Sequence, residues 1–185
     1  MRFPTRFPAI VAALTLASTA PAVAQQPALL TADLVADIAQ VEKKMIDLAR
    51  AIPDDKYGWR PGPGVRSVGE VLLHVASDNY LIPAALGFAP DPATGIKGDD
   101  YTTALAFEKR PMNKAATIAE LEKSFAFMKK SLTDTPASRL GQPVRMFGQP
   151  FTMQSAWILG TTHLHEHLGQ LIAYARTNGV KPPWS

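Results

Sequence analysis

The sequence contains no cysteine among its 185 residues. Disulfide bridges are therefore excluded, and so is a lipid anchor attached to an N-terminal cysteine. Low-complexity tracts are also absent, while 46% of the residues are hydrophobic and 19% are charged. This balance predicts one globular domain of ordinary size, which buries a hydrophobic core without covalent cross-links.

No uncharged apolar run approaches the length of roughly 20 residues that crosses a bilayer. The N-terminal apolar run, residues 7–17, follows Arg2 and Arg6 and precedes the small-residue sequence Ala22-Val23-Ala24. A basic start, an apolar run and an Ala-x-Ala site are typical of a secretory signal. We therefore predict a signal peptide over residues 1–24, and a periplasmic or secreted mature domain over residues 25–185 without a stable membrane anchor.

A strong excess of one charge sign is missing as well. The whole chain carries a formal charge of +3. Loss of Arg2 and Arg6 with the signal lowers it to +1, because 17 of the 19 basic residues then face 16 acidic ones. Nucleic acid is therefore not an expected partner. No Ser-His-Asp or glycine-rich phosphate-binding signature is visible either.

Four segments have the apolar spacing or the end signals of amphipathic helices. Ser67 and Glu70 form a capping-box pair at the start of the second, and Thr117 and Glu120 form one at the start of the third. Thr152 is a further N-cap candidate, and Asn178-Gly179 has the composition of a C-cap. The predicted helices cover Thr31 to Arg50, Val68 to about Leu86, Thr117 to before Pro136, and about Met153 to Arg176.

The connections between these helices differ in length. Residues 57–64 combine aromatic residues with proline and glycine, which predicts an ordered loop anchored by its aromatics. Residues 87–116 show no clear periodicity, and such a long crossover is expected to cover a site. Residues 141–150 predict a turn or a short hairpin. The fold class is therefore all-α, a four-helix bundle with a long crossover connection, which places metal sites between facing helices.

Three of the four histidines fall within residues 163–167. At about 100° per residue, His163 and His167 lie about 40° apart on one helix face, whereas His165 points roughly 160° away. Two imidazoles leave a cation short of ligands, and the remaining histidine is His74. We predict an open divalent-metal site on His74, His163 and His167 that can activate water or polarise a substrate oxygen. A zincin motif is excluded, because it needs histidine where Gly169 stands.

Two carboxylates and several aromatics near these residues allow more than one interpretation. Glu70 and Asp78 lie one helical turn either side of His74, so either could orient a ligand. Capping explains Glu70 and a solvated helix face explains Asp78, so neither is counted as a ligand. Tyr57, Trp59 and Tyr80 could shape a substrate pocket, although core packing is the favoured role. The histidines could also be an exposed pair and a core residue without metal.

Three segments resemble the DinB/YfiT superfamily, and the resemblance spans nearly the whole mature chain. They are Trp59-Arg60-Pro61, the segment from Arg66 to His74, and His163-x-x-x-His167-Leu168-Gly169-Gln170. The resemblance implies a metal-binding four-helix bundle with His74, His163 and His167 as ligands, and it also implies a homodimer. Zinc or nickel is the expected ion, with iron or manganese as alternatives.

The resemblance also bears on activity. Relatives include thiol-dependent transferases and isomerases that use bacillithiol, mycothiol or glutathione. Leu168 and Glu166 stand where members often have a basic residue or a further histidine, which leaves the substrate open. Because such thiols are chiefly cytoplasmic, an exported relative either meets another nucleophile, such as metal-bound hydroxide, or does something other than thiol transfer. We predict an exported metal-dependent transferase or hydrolase of a small molecule. The alternatives are a non-catalytic metal-binding module of the periplasm and an interaction protein with contacts at residues 57–59 and 181–185.

Overall fold

The computed structural model describes residues 22–185, with side chains from residue 29 onwards. Most of the predicted signal peptide, residues 1–21, lies outside the described residues, so the signal stays a prediction. The elements are α1 Ala22–Ala51, α2 Val68–Ala85, α3 Tyr101–Glu108, α4 Lys114–Thr133, β1 Pro143–Met146, β2 Gln149–Thr152 and α5 Met153–Thr177. None of these described helices is both long and apolar enough to cross a membrane.

Four of the helices form the predicted bundle. Helix α2 packs against α4 and α5, and α1 packs against the same two helices from another side. The periodic apolar positions of the sequence enclose the core, in which the largest fully buried side chains include Trp157, Phe107, Phe125, Ile38, Met45, Leu72, Leu121 and Met128. The four-helix bundle with a long crossover is therefore confirmed.

The N-terminal ends of α2 and α5 lie where the capping signals in the sequence predict them. Ser67 Oγ accepts a hydrogen bond from the Glu70 amide, and the Glu70 carboxylate accepts one from the Ser67 amide at 2.6 Å. At the start of α5, Thr152 Oγ1 accepts from the Ser155 amide at 3.1 Å. These bonds satisfy amide groups that a helix start leaves without partners. They fix where the two histidine-bearing helices begin.

The predicted start of α4 at a Thr117 capping box was wrong. The helix begins at Lys114, and Asn113 Oδ1 accepts the hydrogen bond of the Ala116 amide at 2.9 Å. Asparagine is at least as good an N-cap as threonine, and the helix starts at the asparagine, which comes earlier in the chain. Lys114 Nζ also donates to the carbonyls of Arg50 and Ile52, which ties this helix start to the end of α1. Thr117 is buried inside the helix instead.

The two remaining connections carry short elements. The crossover contains α3, a helix of eight residues whose N-cap is Asp100. Its shortness and weak periodicity concealed it in the sequence. The segment around residues 141–150 forms the predicted hairpin, with β1 antiparallel to β2. Both connections lie against α2, because α3 and β1 each contact that helix.

Gly98 marks a close approach of the crossover to the C-terminal end of α2. A β-carbon at this position would lie 2.3 Å from the Ala84 carbonyl carbon and 2.4 Å from the Ala85 nitrogen. We expect Gly98→Ala to reduce the free energy of unfolding by about 1–3 kcal/mol, because one of two backbone segments must shift. Urea unfolding measures the change. Gly141→Ala, which meets nothing within 4 Å, is the control, and equal midpoints for the two variants would contradict the expectation.

Candidate metal centre

The three histidines singled out in the sequence meet between α2 and α5. His74 comes from α2, His163 and His167 come from successive turns of α5, and one nitrogen of each lies within 4.8 Å of the others. Their ring centroids are 4.4–5.2 Å apart, and the ring planes are nearly perpendicular. Imidazoles that converge edge to face in this way could hold a metal ion between them.

His165 lies on another face of α5, as the helical spacing predicted. Its side chain is 51% exposed, and its Nε2 lies 2.7 Å from Asp37 Oδ2 on α1. This contact lies outside the cluster, because the group that could hold a metal contains only the other three histidines among the described residues. His165 therefore provides a natural control residue.

The His74 imidazole is held by a carboxylate from the crossover. Its Nδ1 lies 2.7 Å from Glu108 Oε1, and Arg66 donates to both oxygens of Glu108 at 2.9 and 3.2 Å. Burial raises the pKa of Glu108, but the hydrogen bonds from His74 and Arg66 outweigh it and hold the pKa below its usual value. An ionised carboxylate only accepts. In the neutral imidazole of His74 the proton therefore lies on Nδ1, and the Nε2 lone pair is left for a ligand.

His167 is oriented by a chain of two hydrogen bonds. Its Nδ1 donates to Gln170 Oε1 at 2.8 Å, and Gln170 Nε2 donates to the Tyr174 hydroxyl at 2.9 Å. Burial, together with repulsion from His163 and His74, lowers the pKa of His167 to about 4 despite the bond to Gln170. The imidazole is thus neutral at pH 7. Neutral histidine with a free Nε2 is the form that ligates metals.

Asp78 also faces the cluster, so the expectation that it lies on a solvated helix face was wrong. The residue is 6% exposed, and its Oδ2 lies 2.8 Å from His163 Nε2 and 3.6 Å from His74 Nε2. The reason is its position one turn after His74, on the face of α2 that packs against α5. Glu70, one turn before His74, caps α2 and pairs with Arg60 at 3.1 Å instead.

Two buried polar atoms at the cluster test whether a cation fits. His163 Nε2 lies 2.8 Å from Asp78 Oδ2 but without the geometry of a hydrogen bond. Neither this nitrogen nor Asp78 Oδ1 has a hydrogen-bond partner within the described part of the chain. A buried polar atom without a partner costs about 1–3 kcal/mol. A divalent ion among three imidazoles, with a carboxylate beside it, would satisfy the nitrogen and balance the negative charge. The residues present therefore fit a divalent cation.

A cavity of about 770 Å³ opens onto the three histidines. This volume lies in the range of pockets that bind small molecules, and it is much larger than an ion requires. Besides the histidines, its walls consist of Arg66, Asp78, Asp99, Tyr101, Phe147, Gly148 and Glu166. The site therefore has room for an organic ligand next to the imidazoles.

The aromatics suggested by the sequence do not line this cavity. The Tyr57 hydroxyl donates to the Ala49 carbonyl at 2.7 Å, and Trp59 packs edge-on against Tyr174. Tyr80 donates to Glu120 at 2.8 Å. All three support the packing of the bundle, which was the favoured role.

Sequence reasoning missed several residues at the site. Arg66 and Gln170 stand inside the segments that resemble the superfamily, so their position was a usable signal. Glu108, Tyr101 and Phe147 lie in the crossover and the hairpin, where no periodicity showed which way a side chain points. Only the packing of α3 and the hairpin against α2 brings them to the histidines.

Comparisons with known proteins agree with this architecture. Two similar solved structures are DinB-like proteins from Bacillus cereus and Bacillus subtilis, each 18% identical to this chain. The first has a TM-score of 0.59 and covers 77% of this chain and 89% of its own. The second has a TM-score of 0.61 and covers 80% and 93%. No curated protein matches the sequence. Residues 37–171 match the family model of the DinB superfamily, so the chain belongs to this superfamily.

Proposed function

We propose that the mature protein is exported, binds one divalent cation through His74, His163 and His167, and uses the ion as a transferase or hydrolase of a small molecule. The observation that carries the proposal is the convergence of three imidazole nitrogens within 4.8 Å at the wall of a cavity. A structural metal site is normally closed by four protein ligands. Three imidazoles facing a cavity leave positions for substrate.

The ligand chemistry supports zinc or nickel first. Neutral imidazole suits both ions, and it also suits iron. Manganese prefers oxygen-rich sites. Three imidazoles with only the Asp78 carboxylate beside them are rich in nitrogen, so manganese is a weaker alternative. When bound, the ion supplies Lewis acidity to a substrate oxygen or to water.

The surrounding residues have separate tasks in this proposal. Glu108 and Gln170 hold the rings of His74 and His167 by their Nδ1 protons, which keeps both Nε2 atoms directed at the site. The Asp78 carboxylate lies beside His163 and His74 and lines the cavity, so it can balance the charge of a cation held there. The buried residues of α2 and α5 exclude water from behind the cluster. These roles describe binding and orientation next to an electrophilic centre.

The nucleophile follows from the proposed location. Export separates the protein from the low-molecular-weight thiols of the cytoplasm, so we propose water, or an acceptor bound in the cavity, in place of a thiol. The homodimer remains part of the proposal on the strength of family resemblance.

Elemental analysis of residues 25–185, produced without a histidine tag, tests the proposal. We expect about one equivalent of metal per chain after purification or after reconstitution with zinc or nickel, and loss of the metal in a strong chelator. Absence of metal after reconstitution would overturn the proposal. Metal without turnover in a screen of ester, amide and thiol substrates would instead support a non-catalytic metal-binding module, in which chelation lowers stability but removes no activity.

A further inference from the structure

Two half-exposed aromatic side chains meet at the cavity next to the histidines. Tyr101 is the first residue of α3, and Phe147 lies at the tip of the hairpin between β1 and β2. Their ring centroids are 6.0 Å apart, and the rings are nearly perpendicular. Both residues line the cavity, and they are 43% and 49% exposed. The crossover and the hairpin, far apart in sequence, thus place aromatic rings at one point of the site.

The backbone of Phe147 is unusual. It is the only non-glycine residue with positive φ within residues 22–185, at +53°, and Gly148 follows at +73°. A two-residue hairpin turn with positive φ at both positions is of type I′, which strongly favours Asn-Gly or Gly-Gly. A side chain in this conformation is disfavoured by contact of its β-carbon with the carbonyl group. Because the ring is half-exposed, core packing does not explain the phenylalanine, and backbone strain of this kind clusters at ligand-binding sites.

The charges around the cavity restrict the class of ligand that it can bind. Arg66 is the one cationic side chain among the lining residues, and both oxygens of Glu108 already engage it. Asp99 and Glu166 add negative charge, and the exposed Glu166 carboxylate lies 3.9 Å from His163 Nδ1. A substrate with an anionic tail would find no unpaired cation among these residues. An uncharged aromatic group would find two exposed rings that prefer edge-to-face or offset contacts.

We propose that Tyr101 and Phe147 form a subsite for an uncharged aromatic ring of the substrate, whose polar end lies at the histidines. The position of the polar end rests on the proposed function, whereas the ring subsite rests on the aromatic pair itself. The two residues are specificity-determining rather than catalytic, because they contact the ring and not the reacting atoms. The cavity volume of about 770 Å³ accommodates a ring and a linker together.

Phe147→Asn separates this role from a role in folding. Asn-Gly is the preferred sequence of the turn, so the midpoint of urea unfolding is expected to stay or to rise. The probes are phenylalkyl hydroxamates with one to three methylene groups between ring and hydroxamate, and the corresponding n-alkyl hydroxamates, titrated calorimetrically into zinc-loaded protein. At one linker length at least, we expect the ring to improve the wild-type Kd by about fivefold or more, since aromatic contacts add to apolar burial.

Both Phe147→Asn and Tyr101→Ala are expected to remove that preference for the ring while the n-alkyl hydroxamates bind as before. Trp184→Ala is the control, because Trp184 is 40% exposed but does not line the cavity. Equal affinities for ring-bearing and ring-free hydroxamates in the wild type would overturn the subsite and leave the metal site intact. A preference for the ring that survives in both variants would overturn it too.

Failure of every hydroxamate to bind would count against the proposed metal site. The aromatic subsite is then tested by a measurement that does not depend on metal. Saturation-transfer NMR with benzamide and cyclohexanecarboxamide supplies that measurement on the same proteins. A benzamide signal that Phe147→Asn abolishes supports the subsite, and equal signals in wild type and variant overturn it.

The oligomeric state is measured in parallel by sedimentation. Conversion of a dimer to a monomer by Phe147→Asn, with ring preference unchanged, would assign the aromatic pair to a subunit contact and overturn the proposal.

Discussion

Replacing His74, His163 or His167 with alanine is expected to abolish stoichiometric metal binding, whereas His165→Ala is expected to retain it. Each of the first three contributes one of three converging nitrogens. Loss of a residue that only orients a ligand costs about 10–100-fold in metal affinity. Loss of a ligand itself should therefore weaken the Kd by at least about 100-fold. Competition against a chromophoric chelator, combined with elemental analysis, measures both occupancy and Kd.

His165→Ala is a matched control because it removes the same side chain from the same helix. Its contact with Asp37 is half-exposed, and even an exposed ion pair contributes only about 0–1 kcal/mol to stability. All four variants are expected to retain the helical circular-dichroism spectrum, since the apolar core is unchanged. Equal occupancy in the four variants would rule out the three-histidine site, and loss of metal in His165→Ala alone would place the site on the opposite face of α5.

The sequence was sufficient for the histidine cluster because its geometry is local. An i,i+4 pair shares a helix face wherever the helix forms, and the capping signals at Ser67 and Thr152 fixed the start of both helices. The third histidine of the cluster, His74, needed only the assumption that α2 and α5 pack together. The apolar periodicity of the bundle helices made that assumption reasonable.

The side chains around the cluster could not be predicted in the same way. Asp78 was placed on the surface because one helix alone does not show which neighbour covers it, and the face towards α5 proved to be buried. Glu108 reaches His74 only because α3 packs against α2, and α3 was invisible in the crossover. The wrong start of α4 has a more local cause: Asn113 and Thr117 are both acceptable caps, and contacts of Lys114 with the end of α1 favour the earlier one.

Glu108→Ala is expected to weaken metal binding by about 10–100-fold although Glu108 is not one of the three proposed ligands. The substitution leaves the Nδ1 proton of His74 without its 2.7 Å acceptor, so the ring is free to rotate and its Nε2 no longer points steadily at the site. Glu108→Gln should lose less, about tenfold, because the amide oxygen can still accept the proton while the negative charge disappears. The Kd is measured with the chelator competition used for the histidine variants.

A drop in stability must be separated from this loss of affinity, because Glu108 also pairs with Arg66. Removing one partner of a partly buried ion pair leaves the other without compensation, so Glu108→Ala is expected to lower the urea midpoint of the metal-free protein. Affinity is therefore compared where every variant is folded. Glu122→Ala, which breaks the exposed pair with Arg50, is the control for a lost glutamate. Loss of stability in Glu108→Ala with wild-type metal affinity would contradict the expectation. The carboxylate would then only pair with Arg66 and stabilise α3, and the packing of α2 would be sufficient to orient His74.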